Sequence, residues 1–206
     1  MNRPRFRGFF LEFMLHLKLP TDPRWASVAE LSLEYILVDH AWCEQKAATS
    51  CISLIIQFSD KEELVNQVTP LVTEEWGHFR TVLLEMEKRG IPLARPRKDE
   101  YVNQMLAFHV KGASREQKLL DQLLTCALIE ARSCERFRVL SLGMTDPYMR
   151  EFYHRFMVSE AGHYTLFMNL AEHYLPRERV RKRWEEFLER EKEILATFEP
   201  HPHRIH

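Results

Sequence analysis

The 206-residue chain carries a formal net charge of −1, with 45% hydrophobic and 29% charged residues. That balance excludes a globally basic nucleic-acid binder, and no run of about 18 apolar residues offers a membrane span. Four cysteines without a C-x-x-C pair argue against a zinc ribbon, while scarce glycine among abundant Leu, Glu, Arg and Met favours helix in a single domain.

Residues 1–20 read as a lead-in segment with Arg3, Arg5 and Arg7 beside Phe6, Phe9 and Phe10. This segment lacks the apolar core and cleavage site of a secretory leader, so a cytoplasmic protein with reduced thiols is expected. Thr21-Asp22-Pro23 is a helix-start signal. It predicts a first helix running to about Phe58, with Leu33, Ile36, Leu37, His40, Glu44, Ala47, Ala48 and Cys51 on one broad face. Ser59-Asp60 opens a second helix ending at Gly90, with Pro70 expected to kink it about one turn before Glu75. Residues 91–114 form a long connection with a short helical stretch near 99–110.

Ser114 and Gln117 form a capping box for a third helix ending near Gly143. Thr145-Asp146-Pro147 repeats the earlier start signal and opens a fourth helix, which stops at Leu175-Pro176. Residues 176–199 predict an extra, highly charged helix. Residues 200–206, with His201, His203 and His206, predict a loose tail. Two helices, a long crossover, two helices and an appendage predict an all-α fold: a ferritin-like four-helix bundle with one long crossover plus an extra C-terminal helix.

The second and fourth helices each carry Glu-x-x-His: Glu75 with His78, and Glu160 with His163. This spacing puts a carboxylate and an imidazole on one helical face. One such tetrapeptide means little, but two with a glycine before each His, 85 positions apart, form a repeat. The first and third helices supply partners at matching offsets, Glu44 and Glu130, the latter inside an apolar run. A bundle core tolerates four carboxylates only beside compensating charge, and two cations supply it. Oxygen and imidazole donors suit iron or manganese. The expected metal ligands are therefore Glu44, Glu75, His78, Glu130, Glu160 and His163.

Glu135 lies about 140° around the helix from Glu130 and is expected to pair with an Arg. Glu34 and Glu74 read as charged neighbours on other faces. His40, one turn before Glu44 on the same face, reads as a core histidine or as an extra polar group beside the metals, and Tyr153, two turns before Glu160, reads first as core packing. Cys51, Cys126 and Cys134 read as small core residues. Gly77 and Gly162 leave open close helix approach or space beside the metals.

The phrases Asp39-His40-Ala41-Trp42-Cys43-Glu44-Gln45-Lys46-Ala47-Ala48 and Ile129-Glu130-Ala131-Arg132-Ser133-Cys134-Glu135-Arg136-Phe137 resemble the bacterial tRNA hydroxylase family known as MiaE. The resemblance implies a ferritin-like fold and a non-haem centre of two iron ions with dioxygen as co-substrate. It implies hydroxylation of the isopentenyl group of 2-methylthio-N6-isopentenyladenosine next to the tRNA anticodon. It also implies an external electron donor, and the sequence holds no flavin or nicotinamide fingerprint, so a separate reductase is expected. Another ferritin-like oxidase or oxygenase, or an iron-storage protein, remains open at this stage. Basic clusters at 3–7, 95–98 and 177–183 are candidate tRNA contacts, although the last leads straight into an acidic helix.

Overall fold

A computed structural model of the chain describes residues 15–197. The lead-in arginines and the tail histidines lie outside the described residues. Among the described residues seven helices follow one another: α1 (Trp25–Leu31), α2 (Leu33–Gln57), α3 (Glu62–Lys88), α4 (Glu100–Ala107), α5 (Arg115–Gly143), α6 (Pro147–Tyr174) and α7 (Arg177–Thr197). The long helices pair as two hairpins, α2 with α3 and α5 with α6. The 89–114 connection joins them, which is the expected bundle with one long crossover. Helix α7 packs on α4, α5 and α6.

Local chemistry sets most of the boundaries. Asp146 accepts from the Tyr148 amide at 2.9 Å with Pro147 at the first helical position, and Asp99 caps α4 through the Val102 amide. Gly90 follows α3 with φ of 67°, the left-handed conformation that closes a helix. Ser114 accepts from the Gln117 amide, but the Gln117 side chain reaches forward to Asp121 rather than back, so only half of the capping box forms.

Two expectations change. The first helix is broken at Ser32 (φ −124°, ψ 31°), because α1 swings away to lay Trp25, Ala26 and Ala29 against the far end of α5. Helix α3 starts at Glu62 rather than Ser59, and Pro70 lies within it.

The core falls into two apolar clusters. One gathers Leu54, Leu64, Val68, Leu123, Leu124 and Phe167; the other Ile36, Leu37, Val82, Met86, Leu140 and Phe152. Each long helix contributes to both and places its Glu or Glu-x-x-His residues between them. The polar layer thus crosses the bundle at one height, enclosed above and below by hydrocarbon.

Candidate metal centre

All six residues singled out in the sequence converge in that layer. Glu75 is fully buried, Glu44, Glu130, Glu160 and His163 are at most 5% exposed, and His78 is partly buried. Their donor atoms form two groups, each within 4.8 Å: Glu44, Glu75, His78 and Glu160, and Glu75, Glu130, Glu160 and His163. Glu75 and Glu160 belong to both groups. Glu44 with His78, and Glu130 with His163, belong to one each, so the sequence repeat becomes an approximate two-fold arrangement.

Both imidazoles turn Nδ1 inward. His78 Nδ1 lies 3.4 Å from Glu44, 3.5 Å from Glu75 and 3.9 Å from Glu160. His163 Nδ1 lies 2.8 Å from Glu75 and 3.8 Å from both Glu130 and Glu160. Yet His78 Nδ1, His163 Nδ1, both Glu75 oxygens and Glu160 Oε1 are buried without a well-directed hydrogen bond. Buried polar atoms are seldom left so in proteins. Donors converging without satisfying one another fit a pair of cations.

The titration of the cluster points the same way. Burial and the Glu130 charge raise Glu75 to about 7, and the same causes raise Glu160 well above the usual carboxylate range. Burial disfavours the His78 cation, but the carboxylates of Glu44 and Glu75 outweigh it and lift that group to about 10. His163 is raised likewise, against burial, by Glu130, Glu160 and Glu75. Protons on these groups offset the negative charge of the buried carboxylates.

His40 joins the site from behind. It is fully buried, its Nε2 lies 2.6 Å from Glu44 Oε1, and Phe137, Phe152, Tyr153 and Phe156 enclose its ring. Tyr153 is both core and neighbour: its ring stacks on His40 at 5.7 Å. This aromatic box closes the Glu44 end.

The Glu130 end is open. A cavity of about 270 Å³ runs between α2, α4 and α5, with Cys51, Glu130 and Phe167 at its buried end and Thr49, Ser53, Gln57 and Leu106 at its exposed rim. Cys43, Cys51 and Cys126 line it; Cys51 and Cys134 are also buried core residues as expected, and Cys134 donates to the Met157 carbonyl. Burial pushes the Cys126 thiol up to about 12, so it is neutral at ordinary pH.

Three neighbours resolve differently. Glu135 pairs with Arg132 at 3.1 Å, as its helical position implied. Glu34 is exposed. Glu74 turns toward the site: its Oε1 stands 3.3 Å from His163 Nε2 and 3.9 Å from His78 Nε2. Helical spacing within α3 could not show this, because the ring that Glu74 meets most closely belongs to α6. A Cβ built at Gly77 or Gly162 meets nothing within 4 Å, so neither glycine serves close helix approach.

The chain matches the tRNA-(ms2io6A)-hydroxylase (MiaE) family over residues 10–206. It is 37% identical over 158 residues to a Pseudomonas putida tRNA 2-(methylsulfanyl)-N(6)-isopentenyladenosine(37) hydroxylase, covering 77% of this chain and 76% of that one. A Salmonella typhimurium protein of the same name is 27% identical over 221 residues, covering 84% and 80%. Among solved structures, a Synechococcus protein described as having aldehyde deformylating oxygenase activity superimposes with a TM-score of 0.86 at 34% identity, covering 92% of this chain and 94% of that one.

Proposed function

The chain belongs to the MiaE family of tRNA hydroxylases, and from that premise we propose that it hydroxylates the isopentenyl group of 2-methylthio-N6-isopentenyladenosine beside the tRNA anticodon. The observation that carries this reading is the family match from residue 10 to residue 206.

Two iron ions fit the six residues. Glu75 and Glu160 would be shared, Glu44 and His78 would complete one ion, and Glu130 and His163 the other. Bound reduced iron supplies the activation of dioxygen. Overall, one oxygen atom enters an allylic C–H bond, and the other leaves as water with two electrons and two protons. The electrons come from a separate reductase. A tRNA substrate puts the reaction in the cytoplasm.

The protein's own residues set the geometry. Glu130 belongs to both the ligand cluster and the cavity wall, so a prenyl chain entering past Cys126 and Ile129 ends beside the centre. The two apolar clusters and the aromatic box around His40 keep water from the opposite end.

The phosphate-facing surface lies around the cavity rim. Lys46 and Asp99 pair on the cavity wall, and Arg95, Arg97 and Lys98 are exposed on the crossover beside them, Arg97 over the Tyr35 ring. The 177–183 cluster is largely engaged within the fold: Arg177 with Glu172, Arg179 with Glu116 and Gln117, and Arg183 with Asp121 and the Phe108 carbonyl.

Iron-loaded protein given dioxygen, a reductase and tRNA bearing the substrate nucleoside should yield the same nucleoside with one added oxygen on nucleoside analysis. A deletion strain should lack that product. Cys126→Trp, which fills the cavity, should abolish turnover with iron content unchanged. Product formation by that variant at the normal rate would displace the cavity from this role, and no product from the loaded wild type would sink the reading. A second reading, oxygenation of an apolar aldehyde, is favoured by the Synechococcus neighbour. Offering a long-chain aldehyde in the same assay tests it directly.

A further inference from the structure

The residue before each motif glutamate has no part in the ligand set. In α3 it is Glu74, and in α6 it is Ser159. These two equivalent positions meet across the helix pair: Ser159 Oγ donates to Glu74 Oε1 at 2.5 Å. Helices α3 and α6 otherwise touch little. The His78 and His163 rings lie 5.7 Å apart and 33° from parallel, each with Nδ1 directed at the buried carboxylates. On their outer side Glu74 Oε1 faces both Nε2 atoms, at 3.3 Å for His163 and 3.9 Å for His78, and Ser159 Oγ lies 3.4 Å from His163 Nε2.

We propose that Glu74 and Ser159 form a clasp across α3 and α6 that orients the His163 imidazole for metal binding. An imidazole binds a metal through one nitrogen only if the other carries the proton, and a carboxylate acceptor fixes that tautomer and the ring plane. Here the carboxylate stands closest to the His163 ring, at 3.3 Å, and reaches the His78 ring, at 3.9 Å, only through its charge. Ser159 holds it in place, since a Glu with a 51% exposed side chain would otherwise sample several rotamers. Glu74 and Ser159 are positioning residues. A shallow cleft lined by Gln67, Pro70, Glu74, Ser159 and Gly162 leaves the clasp at the surface, so changing it need not disturb the core.

The inference rests on the six residues being the metal ligands, and its test separates the two. Wild type, Glu74→Gln, Ser159→Ala and Ser159→Thr are titrated anaerobically with iron(II) and with cobalt(II). The visible absorption of the cobalt form and the unfolding midpoint of the metal-free protein are recorded alongside. The clasp predicts that Glu74→Gln weakens metal binding roughly 10–100-fold and shifts the cobalt bands. Ser159→Ala should do so more mildly, Ser159→Thr should restore wild-type behaviour, and the metal-free midpoint should hold throughout. Wild-type affinity and spectrum in Glu74→Gln would overturn the clasp, as would a midpoint falling in step with affinity. Wild-type protein that takes up both ions but leaves tRNA unmodified sinks the functional reading alone. Failure to bind either metal removes the ligand set and the clasp with it.

Discussion

Glu75 and Glu160 differ from Glu44 and Glu130 in belonging to both donor groups. Glu75→Ala or Glu160→Ala should therefore cost both ions, whereas Glu44→Ala or Glu130→Ala should weaken mainly one; metal analysis after loading distinguishes these outcomes. The protons held without metal give a second expectation. His78 is raised to about 10 and His163 is raised too, so both are cationic at pH 7 and must lose a proton before Nδ1 can bind. The affinity for each ion should accordingly rise with pH between 6 and 8 by about one log unit per pH unit or more, and for both ions together by about two. Calorimetry in buffers of different ionisation heat should register the released protons, and a pH-independent affinity would contradict this picture. The six donors were legible as residues because a repeat of carboxylate and imidazole is conspicuous against apolar faces. Glu74 was not, because adjacent residues on a helix point about 100° apart and its direction seemed to lead outward.

At the scale of elements, start and stop signals worked where the cap is a local hydrogen bond, as at Asp99, Asp146 and Gly90. They failed where packing decides, as at Ser32. Near α1 a different glycine matters from those in the motifs. A Cβ at Gly143 would sit 2.5 Å from the Ala26 Cβ, whereas one at Gly77 would meet open space. Gly143→Ala should therefore destabilise the protein by about 1–3 kcal/mol through overpacking. Gly77→Ala should be neutral or stabilising by up to about 1 kcal/mol through helix propensity, with iron content unchanged. Denaturant midpoints measured side by side check the contrast. The Glu30 carboxylate adds to the tie between α1 and the bundle by accepting from Thr145 and Asp146 at the start of α6.

Across the whole molecule, a buried ionic network fastens the last helix to the bundle. Arg132 reaches Glu191 of α7 at 2.7 and 3.0 Å and Glu135 at 3.1 Å; Tyr101 donates to Glu191, and Glu135 accepts from Thr21. The segment that carries much of the family resemblance thus anchors α7 as well as supplying Glu130. Arg132→Ala should leave Glu191 buried and uncompensated and cost about 3–5 kcal/mol, read as a lowered denaturant midpoint. Two properties followed from the sequence alone: an all-α bundle, because apolar period and cap chemistry are local, and the candidate ligand set, because the two halves repeat. The tertiary structure decided which carboxylates are shared, that Glu74 and Ser159 meet, that three thiols line a cavity ending at Glu130, and that most of the 177–183 arginines are engaged in internal pairs. Each of these depends on side chains from different helices reaching one place, and helical periodicity fixes directions within a helix but not the distances between helices.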